Sequence, residues 1–237
     1  MTNTSIASGA PAPKSLLARF FGILTSPRDT FASVAAHPKW FGMLALCVVA
    51  GVVIVGGFFF TQVGQDAWYD AATTSRQLSD QQLQAVERMS HYAGPFAVAQ
   101  MVIGLPLMLL VVAGILFAVF NAALGGQASF KQVFAVVVHA GPIGVVQQLF
   151  SMPLNYYRGT LTSAANLGAL LPMLSETSFL SHFLGAIDVF LIWQVIVLAI
   201  GLGVLYRRKT QPIAISLLGV YAVIAVIIAV FKSRGGA

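Results

Sequence analysis

Asp188, His139, Gln147, Gln148 and Arg158 are the side chains of this chain whose type and setting could do chemistry. Each lies inside or beside a long apolar stretch. An ionised carboxylate in such a place needs a partner, water or a proton. Asp188, in Ala186-Ile187-Asp188-Val189-Phe190, falls roughly 7–9 Å inside an apolar segment that starts near residue 183, at 1.5 Å per helical residue. It is either an ion or proton site, or an interfacial carboxylate satisfied by a neighbouring helix or by Arg158. His139 precedes Gly141-Pro142. Proline frees a carbonyl one turn back and can leave polar backbone at membrane depth. That suits either a broken-helix substrate site or a neutral histidine bonded across a helix interface. Gln147, Gln148 and Asn155 then line a polar path or act as interhelical glue, worth about 0.6 kcal/mol each.

The elements that must position these groups are set by where charge is absent. No Asp, Glu, Lys or Arg occurs between Arg88 and Lys131, and further gaps run from Lys39 to Asp66, Lys131 to Arg158, Asp188 to Arg207 and Lys209 to Lys232. Of 237 residues 58% are hydrophobic and 8% charged, against about 25% charged in soluble domains. A water-facing surface cannot omit charge so often. A bilayer demands the omission, because an ion at mid-depth costs about 2.5–3.5 kcal/mol. The expected fold is therefore an all-α polytopic membrane bundle. Five spans are expected, near 41–62, 95–121, 131–150, 183–206 and 212–231, each close to the roughly 20 residues a crossing needs. Pro106 and Pro142 predict kinks in the second and third. Small-residue pairs at four-residue spacing, Ala118/Ala122, Ala199/Gly203 and Ala225/Ala229, permit close helix approach.

Ahead of the spans, residues 1–13 read as a polar disordered tail. Leu16, Leu17, Phe20, Phe21 and Leu24 fall on one face of a helix, with Lys14 and Arg19 near its polar side. That helix either lies in the headgroup plane or docks on the spans. Ser26-Pro27-Arg28-Asp29 starts a second short helix, which Pro38 ends. Residues 14–38 are thus expected to be cytoplasmic or interfacial amphipathic helices. Lys39-Trp40-Phe41 suits headgroup depth. The first long apolar run starts near Trp40, so no cleavable leader is expected. Between the spans, Ser79-x-x-Gln82 opens a short amphipathic helix, and the run at 167–174 is too short to span, which suggests an interfacial or re-entrant segment. Residues 233–237 form a tail.

Basic residues set orientation. With the N-terminus inside, Lys14, Arg19, Arg28, Lys39, Lys131, Arg207, Arg208 and Lys209 are cytoplasmic. Arg76, Arg88, Arg158, Lys232 and Arg234 are not. This favours a cytoplasmic N-terminus in a multi-pass protein of the cell (cytoplasmic) membrane. The formal charge of +6 is explained by lipid headgroups and topology, so no nucleic-acid partner is expected. The chain lacks HExxH, GxSxG and a phosphate loop. Its single cysteine, Cys47, forms no metal cluster. No enzyme activity, cofactor or metal is expected.

Two stretches carry a resemblance to a known family. Gly125-Gly126-Gln127-Ala128-Ser129-Phe130-Lys131-Gln132 feeds the third span, and Asp188-Val189-Phe190-Leu191-Ile192-Trp193 is followed by Ala199-Ile200-Gly201. With a looser lead-in at Pro27, Phe31 and Pro38-x-Trp40, they resemble the bacterial branch of the Yip-domain (Ypt-interacting) proteins over roughly 25 to 232. The resemblance implies a five-span domain over 39–232 with a cytoplasmic N-terminus. It marks Gly125, Gly126, Ser129, Phe130, Lys131, Asp188, Trp193 and Gly201 as motif positions. Eukaryotic members associate with Rab/Ypt GTPases. Their Asp-Leu-Tyr-Gly-Pro stretch is missing here, and the nearest string, Tyr92-Ala93-Gly94-Pro95, has an inserted alanine and lies at the second span, so GTPase binding is not carried over. The leading expectation is a non-enzymatic scaffold or membrane-organising protein whose partners are the bilayer, other membrane proteins or a second copy. The alternative is a small-solute or ion transporter using Asp188, His139 and the Pro142 kink.

Overall fold

The computed structural model describes residues 12–74, 78–171 and 178–235. Among them every regular element is helical, apart from one isolated antiparallel bridge between Asn166 and Asp188. Two short helices come first. α1 (Leu16–Thr25) is capped by Ser15, whose hydroxyl accepts from the Ala18 amide at 3.3 Å. α2 (Pro27–Ala36) has proline in its first turn and stops just short of Pro38. Ser26 makes no side-chain cap, contrary to expectation, so the first amides of α2 lack an acceptor from it.

Among the described residues four helices are long and apolar enough to cross a membrane. They are α3 (Phe41–Phe59), α6 (Ala93–Ala123), the consecutive pair α7 (Phe130–His139) and α8 (Gly141–Arg158), which together make one span, and the last helix, α11 (Thr210–Gly235). Between α3 and α6 stand α4 (Gln62–Thr73) and α5 (Asp80–Ser90), the latter opened by the expected Ser79/Gln82 capping box. A 3-10 turn (Leu167–Leu170) and α9 (Phe179–Gly185) lead to α10 (Val189–Leu205). Residues 172–177 of the expected re-entrant run lie outside the described residues.

Several boundaries differ from those expected. α3 ends at Phe59 rather than 62, because Thr61 caps α4 by accepting from the Gly64 amide. The third span continues to Arg158, past 150, because Pro153 sits inside the helix without ending it. The segment at 183–206 is not one helix: α9 ends at Gly185 and α10 starts at Val189. α10 has 17 residues, about 25 Å, which is short of the roughly 20 that a crossing usually needs.

The kink positions are relieved in two ways. Ahead of Pro106 the helix widens into a π turn over Gln100–Gly104, where the Gln100 amide lies against Gly104. A π turn is a usual home for a displaced backbone bond. At Pro142 the helix is interrupted instead, at Ala140.

α7 is the centre of the molecule. Every residue from Val133 to Ala140 is buried, because α2, α6, α10 and the start of α3 pack around it. The outer helices do the reverse. α6 and α11 present Ile103, Val111, Ile115, Ile215, Val220 and Val223 outward, each at least half exposed. In water so much apolar surface would drive association; against lipid tails it is the surface a spanning helix needs.

Candidate functional site

A buried polar junction joins α1 to the break in the third span. The His139 ring is fully buried, and its Nδ1 donates to the Ala135 carbonyl at 2.7 Å. That bond fixes the tautomer and leaves Nε2 as an acceptor. Arg19 Nη1 donates to it at 3.1 Å, and also to the Lys39 carbonyl at 2.7 Å. Arg19 is only 8% exposed and its Nε has no partner among the described residues. Among the described residues the guanidinium is thus buried with neutral acceptors and no carboxylate, and burial lowers its pKa from the ordinary value. A guanidinium, which is weakly hydrated and rigid, tolerates this better than an ammonium.

Placing Arg19 inward corrects the sequence expectation. Arg19 and Ile23 face the bundle, whereas Leu17 and Phe21 are 62% and 59% exposed. The apolar stripe of α1 is therefore split. One edge packs with Arg19, because His139 and the Lys39 carbonyl offer acceptors there. Sequence reasoning missed Arg19 because a lone arginine among leucines reads as the polar face of an amphipathic helix.

Asp188 sits at the other end of the bundle, and not inside a span. It is the residue before α10, and its Oδ1 accepts from the Phe190 and Leu191 amides at 2.8 and 3.3 Å. Its Oδ2 accepts from the Ser163 hydroxyl at 2.6 Å. The Tyr221 hydroxyl accepts from the Asp188 amide and donates to the Ala186 carbonyl, so α11 is tied to the same corner. A carboxylate at a helix N-terminus satisfies amides that would otherwise be orphaned and meets the positive end of the helix dipole. Arg158 is exposed and is not among the partners of Asp188.

The polar candidates are not brought together. His139 ends α7, just ahead of α8, and Ser163, which holds Asp188, follows the end of α8. The 18 residues of α8 make that separation about 27 Å, close to the thickness of a hydrocarbon core. Between them Gln147 is half-buried, while Gln148 Oε1 and Ser151 Oγ are buried without a hydrogen bond among the described residues. Asn155, two per cent exposed, can turn its amide to donate to the Thr162 and Ser151 carbonyls at 3.0 and 3.3 Å.

The motif around residues 125–132 is a joint between helices. Gly125 has φ +68°, the left-handed region that glycine enters without penalty. Gly126 packs against the Tyr206 ring, leaving no room for a Cβ. Ser129 and Gln132 form a capping box for α7, and Gln132 Nε2 also donates to the Ala35 carbonyl at 3.1 Å, which fastens the end of α2. Phe130 contacts Phe117 and Phe134, whereas Lys131 is exposed. The Ser-x-x-Gln spacing carried this signal in the sequence, unread there as a cap. Gly201 is the matching contact on α10, where a Cβ would fall 2.7 Å from Val136 and 2.9 Å from the Phe31 ring. Trp193 packs one turn from Phe190 on that helix.

This pattern of joints has a family. The family model described as the Yip1 domain matches residues 21–231. The chain belongs to the Yip1-domain family. It is an integral membrane protein, as the apolar helices require. It is also similar to the membrane protein YknW of Bacillus subtilis (strain 168), with 25% identity over 244 residues that cover all of this chain and 99% of the relative. No solved structure matches it. Within the Yip1-domain match, motif residues Gly126, Ser129, Asp188 and Gly201 all serve caps or close helix contacts.

Proposed function

We propose that this Yip1-domain protein is a non-enzymatic scaffold of the cytoplasmic membrane, crossing it five times with the N-terminus inside. α10 is added to the four long helices as a crossing, fourth in chain order: its 17 residues are extended at one end by the Asp188 cap and at the other by Tyr206. The basic residues Lys14, Arg28, Lys39, Lys131 and Arg207 to Lys209 then share the inner side.

The observation that carries the reading is the attachment of α1 and α2 to the spans. Arg19 to His139, Gln132 to Ala35 and Phe31 against Gly201 hold both helices. The exposed Leu17 and Phe21 are thereby presented at a fixed place beside the bundle. Fixed presentation of a small apolar patch is what an organising protein needs, for a membrane protein partner or a second copy. Asp188 and His139, the two groups a transporter would depend on most, are engaged in a cap and a joint near opposite ends of α8.

A photo-crosslinking residue at Phe21 in the full chain, activated in membranes, tests the reading. Discrete adducts with a protein, this chain included, are expected, and Asp188→Asn leaves both the adducts and proton or solute flux in proteoliposomes unchanged. Loss of a measurable wild-type flux in Asp188→Asn, with no protein adduct, contradicts it.

A further inference from the structure

We infer that the groove between the start of α2 and the α10–α11 turn is a binding site for a phosphate-bearing anion, presented by an acidic lipid headgroup. The groove has a volume of about 490 Å³ and is lined by Arg28, Asp29, Gly203, Arg207, Arg208 and Lys209, with Ala32 and Val204 behind them. Four cations face one carboxylate. Arg208 is partly engaged, donating from Nη2 to the Leu124 carbonyl at 2.6 Å. The side chains of Arg28, Arg207 and Lys209 are exposed and make no hydrogen bond among the described residues. Arg28 and Asp29 belong to the first turn of α2, the helix whose Ser26 supplies no side-chain cap. Clustered arginines and a lysine are the usual elements of phosphate recognition.

A second observation is independent of the charge. α10 ends with the Arg208 amide bonded to the Gly203 carbonyl at 2.9 Å, and Arg207 between them has φ +53°. This is the left-handed position after a helix, where glycine is the ordinary occupant. Among the described residues Arg207 is the one non-glycine residue with positive φ. The turn would be easier with glycine, so stability does not account for arginine here; a strained residue held at a site points to use of its side chain. The groove adjoins the ends of two apolar helices, at headgroup depth, where basic pockets between helices take lipid phosphates. The inference does not rest on the scaffold reading, since a transporter with this groove would bind the same anion.

The purified full chain in detergent is titrated with phosphatidylglycerol, with phosphatidylcholine and separately with inorganic phosphate, and thermal unfolding is followed. Phosphatidylglycerol is expected to raise Tm and phosphatidylcholine is not. Arg207→Gly and Arg28→Gln are each expected to weaken the apparent affinity about fivefold. Arg207→Gly is expected to fold at least as well as the parent, which separates binding from structure. Lys232→Gln, at the opposite end of α11, serves as the charge control and is expected to bind like the parent. If inorganic phosphate protects equally, with the same dependence on Arg207 and Arg28, the site stands and its source is a soluble phosphate. A parent chain that responds to neither probe, variants that bind like the parent, or an equal loss in Lys232→Gln overturns the inference.

Discussion

The Arg19 guanidinium donates to His139 Nε2 at 3.1 Å, linking residues 120 positions apart. Among the described residues neither side chain has a carboxylate partner, and both are buried. The bond places the N-terminal helix at the point where the third span breaks. His139→Leu is expected to destabilise the protein by about 1–3 kcal/mol, the usual result of leaving a buried donor unpaired. Arg19→Met should cost a similar amount. The double variant should cost less than the sum of the two, with a coupling of about 0.5–3 kcal/mol. Thermal or denaturant unfolding in detergent measures all three, and strict additivity would show that the bond is incidental.

Asp188 is a cap, and caps tolerate some replacements. Asp188→Asn keeps an acceptor for the Phe190 and Leu191 amides and is expected to change stability little. Asp188→Ala should cost about 0.5–2 kcal/mol, because Ser163 loses its acceptor as well. Were Asp188 an ion or proton site, the order would differ, with Asn as damaging as Ala in a transport assay.

Gly201 admits α10 to the α2–α7 surface. Gly201→Leu is expected to overpack that contact by about 1–3 kcal/mol, since Val136 and Phe31 occupy the space. The variant should expose α2, read as faster proteolysis near residues 26–40 in intact inside-out vesicles. Gly219, with no neighbour near its Cβ direction, should accept Leu without that change.

The Ser129 box supports α7 and, through Gln132, the end of α2. Ser129→Ala should cost about 1 kcal/mol. Gln132→Ala should add freedom to α1 and α2, seen as higher hydrogen exchange over residues 16–36 than in the parent.

The membrane class and the existence of most helices were legible because lipid penalises charge over whole segments. That signal is long, so single residues cannot mask it. The start of α10 was misplaced because 183–206 is apolar apart from Asp188 and Gln194, and only the backbone amides met by Asp188 decide where the helix begins. Arg19 was unreadable for a different reason. Its burial depends on acceptors at positions 39 and 139, and periodicity within ten residues carries no trace of them. The glycine and serine motif at 125–132 was visible as a family resemblance, while its physical content, a cap that reaches a second helix, required the contact between Gln132 and Ala35.

The proposed scaffold requires five crossings, with α1, the 125–132 turn and the 207–209 turn on one side. Cys47 is the single cysteine, so a Cys47→Ser background allows one reporter at a time. Introduced cysteines at Lys14, Gln127 and Lys209 should react with a membrane-impermeant maleimide only from the cytoplasmic side. Those at Gln82, Thr160 and Ser233 should react only from the opposite side. Labelling of Thr160 and Lys209 from the same side would remove α10 as a crossing and contradict the architecture.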